Sequence, residues 1–259
     1  MISINRSERT YKKIGNIGLK LFIFKPSIRE SKELLPIIVF FHGGGWNIGT
    51  PKQFFPHCEY FSSRGMISIS AEYRIGSKHK TTPIESVMDG KSAIIWIRNH
   101  SLELIADPQM IVGAGGSSGG HVALCTAFVK NGKKNVVDSK PNALVLFNPV
   151  VDTVSNPNLA SLFESHAKKL SPIHNIKKGY PPIIIFHGTM DSIIPFRDVE
   201  LFCLKMKKLD NRCELVLFEN KNHAFFNYGF YKNEPYKETL HLTDKFLVSL
   251  GFLKGEPTI

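Results

Sequence analysis

Only four cysteines, Cys58, Cys125, Cys203 and Cys213, stand in the 259 residues, and none forms a Cys-x-x-Cys pair. A disulfide framework and the usual zinc or redox motifs are therefore not expected. Cys203 and Cys213 are near enough in sequence to approach in space, and the reading is of free thiols in a reducing compartment. No apolar stretch approaches the length of a membrane-spanning helix, and residues 1–15 lack the apolar core of a signal peptide. The sequence as it stands reads as cytoplasmic, with secretion or a periplasmic location expected only if a leader had been removed. Acidic residues are outnumbered, 22 against 33 basic ones, for a net charge of +11. The lysines are scattered as small groups, such as Lys133-Lys134, Lys168-Lys169, Lys177-Lys178 and Lys207-Lys208, and no basic stripe interleaved with aromatics is present. A solvated basic surface is expected, and nucleic acid is not an expected partner. Repeats, low-complexity tracts and interdomain linkers are absent as well.

What is present is a 42% hydrophobic chain of a size that suits one α/β domain over residues 1–259. Short apolar runs at 19–25, 36–41, 66–71, 110–113, 143–147, 182–186 and 215–218 read as buried strands. Stretches at 54–64, 85–99, 118–130, 196–209 and 238–250 carry apolar residues at helical spacing. The alternation predicts a mostly parallel central sheet with helices on both faces. Residues 152–180 break the alternation, with Asn156, Pro157, Asn158, Pro172 and Asn175 inside them. An insertion that follows a strand lies at the carboxyl edge of the sheet, so this one is either a small lid or a surface excursion.

Gly115-Gly116-Ser117-Ser118-Gly119 joins an apolar run to a helical stretch. Gly-x-Ser-x-Gly at a strand-to-helix turn is the pattern of a nucleophile elbow, where glycines let a strained turn present its serine. A dinucleotide-binding pattern from Gly113 fails at Ser118, and no Gly-Lys-Ser/Thr follows. Spacing alone leaves the register open, because Gly116-Ser117-Ser118-Gly119-Gly120 fits with Ser118 as the nucleophile.

A serine nucleophile needs a base, an orienting acid and an oxyanion hole. His42-Gly43-Gly44-Gly45-Trp46 follows one buried strand and offers backbone N–H groups. Asp191 follows another strand in His187-Gly188-Thr189-Met190-Asp191, and His223 follows the next in Asn222-His223-Ala224-Phe225. The order serine, aspartate, histidine is that of an α/β-hydrolase. His42 and His187 are read as bracing their loops, and His121 as a surface or bracing residue.

With these motifs the chain resembles the α/β-hydrolase superfamily, and within it the His-Gly-Gly-Gly esterases related to hormone-sensitive lipase and acetyl esterases. Ala71-Glu72-Tyr73-Arg74 and Gly119-Gly120-His121 extend the likeness, which spans about residues 36 to 227. It looks nearest to compact bacterial carboxylesterases, feruloyl or acetylxylan esterases and prolyl-oligopeptidase-like hydrolases. The resemblance implies the α/β-hydrolase fold with at most a small lid at 152–180. It resolves the register to Ser117 as nucleophile, with Asp191 and His223 completing the triad. Gly43, Gly44 and Ser118 are the implied oxyanion donors, and Trp46 and Phe225 are candidate pocket walls. The family's usual alanine after the nucleophile is Ser118 here, and the long N-terminal helical cap of lipase-like members is missing.

The expected activity is hydrolysis of short-chain acyl esters, including acetyl or feruloyl esters of plant or algal carbohydrates. No metal or cofactor is implied. The expected partner is a small-molecule or carbohydrate-linked ester, and the chain acts as a monomer or homodimer. The rivals are a prolyl-oligopeptidase-like peptidase and a non-catalytic ligand-binding protein on the same fold.

Overall fold

The computed structural model describes residues 4–27, 33–129 and 137–259. Lys133-Lys134 and the expected helix end at Lys130 lie outside them. Eight strands form one sheet: β1 (Ile4–Ile14), β2 (Ile17–Pro26), β3 (Leu35–Phe41), β4 (Ile67–Ala71), β5 (Ala106–Gly116), β6 (Ala143–Phe147), β7 (Ile183–Gly188) and β8 (Cys213–Phe218). Their order is β1-β2-β4-β3-β5-β6-β7-β8. Strands β3 to β8 run parallel, and the β1–β2 hairpin is antiparallel to its neighbours. The longer helices are α1 (Phe55–Ser63), α3 (Pro83–Asn99), α5 (Ser118–Phe128), α6 (Pro157–Phe163), α7 (Phe196–Lys207) and α8 (Glu234–Ser249). Single turns α2 (Gly76–His79) and α4 (Ser101–Leu104) flank α3.

The α/β-hydrolase fold follows from strands that are apolar on both faces. Ile37, Val39 and Phe41 of β3 point into one core with side chains of α3, α5 and α7. Ile38 and Phe40 point into the other, with α1 and α8. Covering both faces is what a parallel sheet requires, and it explains why these strands read as unbroken apolar runs. α3 starts two residues earlier than its apolar spacing indicates, because Thr82 as N-cap and Glu85 at the third helical position form a capping box around Pro83. Asp89 on α3 is fully buried, where Arg74 grips it through both carboxylate oxygens and Lys12 of β1 adds a third contact at 2.6 Å.

One strand is absent from the expected set. β1 is exposed along most of its length, so it shows no apolar alternation, yet it pairs with β2 from Ile4 to Ile14. The thiols of Cys203 and Cys213 approach to 2.7 Å, both buried between α7 and β8. The exposed pairs Lys168-Lys169, Lys177-Lys178 and Lys207-Lys208 face solvent. No helix among the described residues is long and apolar enough to cross a membrane.

The topology fixes where chemistry can sit. After β3 the chain crosses to β4 on one side, then returns to add β5 on the other side of β3. This reversal opens a crevice beyond the carboxyl ends of β3 and β5. The register pairs Phe41 with Gly115, so both glycine-rich turns leave the sheet side by side.

Candidate active site

Ser117 caps the amino end of α5 with φ 52° and ψ −121°, a conformation seldom adopted by non-glycine residues. The turn is held from below, since Ser117 N–H donates to Phe147 O at 2.9 Å and His121 N–H returns to Ser117 O at 3.1 Å. The glycines around it are demanded by packing. A Cβ on Gly119 would overlap the carbonyl oxygens of Phe41 and His42, and one on Gly116 would meet the Phe226 ring at 2.5 Å.

His223 lies on the loop after β8, with Nε2 at 3.0 Å from Ser117 Oγ and Nδ1 at 2.7 Å from Asp191 Oδ2. With Asp191 ionised, Nδ1–H donates to the carboxylate and Nε2 is left to accept the serine hydroxyl proton. Asp191 is oriented through its other oxygen, which accepts the N–H groups of Ile193 and Ile194, each at 2.9 Å. Burial raises its pKa, but hydrogen bonds from His223, Ile194 and Ile193 outweigh burial and hold it below the ordinary carboxylate value. His187 is fully buried beside it, with Nε2–H donating to Ile194 O at 2.8 Å and lying 3.4 Å from Asp191 Oδ2.

Each glycine turn is backed by a buried histidine. His42 stacks on Tyr73 with centroids 4.3 Å apart, and His121 donates from Nε2 to Leu170 O at 2.8 Å. Burial lowers both to a pKa of about 4, so both are neutral at pH 7. This places His121 in the interior, bracing the turn, and not on the surface.

Beside Ser117, Asn148 and His223 opens a cavity of about 310 Å³ walled by Gly43, Gly44, Gly45, Gln53, Ile193, Ala224 and Phe226. A larger cleft of about 420 Å³, around Arg98, Lys140 and Tyr180, lies at the opposite ends of the strands and contains no serine–histidine pair among its lining residues. The cavity walls differ from those expected. Trp46, at φ 57°, is buried edge-on against His121 and Phe163, with centroids at 5.2 and 5.1 Å. Phe225 is fully buried against Phe218 at 4.7 Å, and its neighbour Phe226 takes the wall position.

The Gly43 N–H is also spoken for, donating to Gln53 Oε1 at 2.7 Å. Gln53, Asn148 and Ile193 had no motif to announce them, and only the structure brings them to the serine. Within 152–180, Phe163, Leu170 and Ile173 are buried, and Ile173 N–H donates to Val151 O at 2.9 Å.

The site geometry joins a family assignment. A family model described as BD-FAE matches residues 21–206. The chain belongs to the BD-FAE family. That membership, with the relatives and structures the chain resembles, groups it with the carboxylesterases of the α/β-hydrolase superfamily. The structure is similar to Thermogutta terrifontis esterase 2 phosphoramylated by tabun, with 46% identity, a TM-score of 0.92 and 97% of each chain covered. A structure of that organism's esterase with propionate bound is 45% identical, with a TM-score of 0.92, over 97% of this chain and 96% of that one.

Curated relatives are more distant. The probable carboxylic ester hydrolase LipM of Mycobacterium tuberculosis is 26% identical over 200 residues, 68% of this chain and 46% of the relative. The isoprenylcysteine alpha-carbonyl methylesterase ICME of Arabidopsis thaliana is 27% identical over 233 residues, 79% of this chain and 53% of the relative. The chain thus spans about half the length of the curated relatives it matches.

Proposed function

We propose that this protein is a serine carboxylesterase that hydrolyses short-chain acyl esters, with Ser117 as nucleophile, His223 as base and Asp191 as orienting acid. The observation that carries the reading is the continuous chain Ser117–His223–Asp191, at 3.0 and 2.7 Å, opening on a small cavity. His223 Nε2 takes the serine proton as Oγ attacks the ester carbonyl, then returns it to the leaving alcohol. Water, deprotonated by the same nitrogen, releases the acid from the acyl-enzyme. The oxyanion is held by the N–H groups of Gly44 and Ser118. Ser118 stands in the first turn of α5, where N–H groups have no intrahelical acceptor and the helix dipole favours negative charge. Removal of one such donor typically costs about 3 kcal/mol of barrier.

Cavity size and lining favour short acyl groups. Ile193 and Phe226 give it apolar walls, and about 310 Å³ leaves little room for a long chain. The esterase of Thermogutta terrifontis has been crystallised with propionate and with butyrate, which supports the same range here. Acetyl and feruloyl esters of carbohydrates are the natural substrates to test first. The protein works as one domain, with 152–180 as a shoulder packed beside the site. A rate profile over p-nitrophenyl esters from acetate to decanoate tests the reading. Rates that peak at acetate to butyrate and vanish in Ser117→Ala are expected. Turnover of an aminoacyl anilide without ester turnover would replace the reading with a peptidase.

A further inference from the structure

Gly43 lies against the nucleophile, since a Cβ added to it would stand 3.5 Å from Ser117 Cβ. Its N–H does not point free into the cavity but donates to Gln53 Oε1. The other end of that amide is also engaged, because Gln53 Nε2 donates to Asn227 Oδ1 at 2.9 Å. Asn227 Nδ2 in turn donates to Ala224 O at 3.0 Å, next in sequence to the histidine. Ala224, at φ 62°, donates its own N–H to Asn148 Oδ1 at 3.3 Å. A run of side-chain amides therefore crosses the cavity wall, from the turn that carries the oxyanion donors to the loop that carries the base.

Each amide in this run is specified at both ends. Gln53 must present oxygen to Gly43 and nitrogen to Asn227, so neither a carboxylate nor an apolar isostere can replace it. The two loops it joins leave different strands, β3 and β8, and a bond spanning 174 residues of sequence links them. Oxyanion donors and base must keep one spacing for both to act on the same carbonyl. A displacement near 1 Å costs on the order of a hundredfold in rate.

We propose that Gln53 is a positioning residue, which reserves the Gly43 N–H and ties the oxyanion turn to the His223 loop through Asn227. The proposal rests on the serine-esterase reading above. Gln53 does not touch the reacting atoms in this role. The opposite role is a competitor that must leave before Gly43 can donate to the oxyanion, and it makes the opposite prediction.

The test is steady-state hydrolysis of p-nitrophenyl acetate by Gln53→Ala, Gln53→Met, Gln53→Glu, Asn227→Ala and the double variant Gln53→Ala/Asn227→Ala. Each single variant should lose about 10- to 100-fold in kcat with KM within about threefold. Gln53→Glu should be no better than Gln53→Ala, because a carboxylate cannot donate to Asn227 and repels the oxyanion. The double variant should be no slower than the slower single one, as expected when both lose the same bridge. Gln53→Met keeps the volume and reads the bond if Gln53→Ala fails to fold. An unchanged or raised kcat in Gln53→Ala or Gln53→Met overturns the proposal, and so does a double variant whose losses multiply. A wild-type protein inactive on every ester would instead sink the functional reading, before any variant is measured.

Discussion

The two glycine-rich turns that leave the sheet side by side differ in one constraint on their glycines: close packing acts in both, and a left-handed backbone only in the turn after β3. In the elbow after β5, Gly115, Gly116, Gly119 and Gly120 have ordinary backbone angles, and it is space that excludes a side chain. A Cβ on Gly119 would run into backbone carbonyls of β3, and one on Gly120 would come within 2.9 Å of Pro149. In the turn after β3, Gly44, Gly45 and Gly49 have φ of 124°, 61° and 105°, so backbone conformation constrains all three. Gly44 and Gly49 are also closed in, where a Cβ would overlap Ile48 O and Gly43 O, and only Gly45 is held by conformation alone. Gly45 has nothing within 4 Å of where its Cβ would be. The elbow is built by close packing of strand, helix and turn around one strained serine. The oxyanion turn is a folded loop whose N–H directions are set by positive φ and by outside partners such as Gln53.

That contrast can be broken most severely at Gly119. Gly119→Ala sets a methyl group against the Phe41 and His42 carbonyls, and backbone cannot step aside as a flexible side chain can. A loss of about 5 kcal/mol or more is expected, enough to unfold a domain of ordinary stability. Soluble yield and a thermal melt check it; a well-folded Gly119→Ala with full stability would show that the elbow is not limited by packing.

Acid probes what the two turns have in common. His42 and His121 are held neutral by burial, at about 4 against an ordinary 6.5. The unfolded chain binds protons between about 6.5 and about 4 that the fold refuses, so stability falls as pH falls through that window. The loss is roughly 3 kcal/mol per histidine when the pH has dropped below both values. His57, lowered to about 3 by burial among Phe40, Phe54, Phe147 and Tyr236, extends the decline further into acid. Urea midpoints measured from pH 7 to pH 4 should decrease steadily, and a flat profile would mean that these rings are protonated or exposed in the fold.

The mildest effect belongs to the oxyanion turn. Gly45→Ala meets no neighbour and costs only the left-handed conformation, about 1–2 kcal/mol. A loss as large as that of Gly119→Ala would erase the distinction between the turns.

Much of this arrangement was legible from residues alone, and the reason is physical. β3, β6 and β7 and the second half of β5 are buried on both faces, so they read as apolar runs, and each ends at a turn whose glycines or polar residues mark it. Ser117, Asp191 and His223 lie one to five residues beyond strand ends. β1 was illegible because an exposed strand carries no burial pattern, and α8 extends one turn before its apolar spacing begins, to Glu234. Gln53 and Asn227 were illegible for another reason, since a hydrogen bond between distant loops leaves no trace in spacing. Trp46 and Phe225 mislead because residues beside a site need not face it. Trp46 packs on His121 and Phe163 and Phe225 on Phe218, while Phe226 meets the cavity.

The central claim is that the strained turn presents Ser117 as an activated nucleophile, and covalent labelling addresses it directly. Wild-type protein, Ser117→Ala and Ser118→Ala are each treated with paraoxon, and intact mass and peptide mapping are read. One phosphoryl adduct per chain, on Ser117, is predicted for the wild type and for Ser118→Ala, with none on Ser117→Ala. An adduct that maps to Ser118, or a wild type that takes no label, would contradict it.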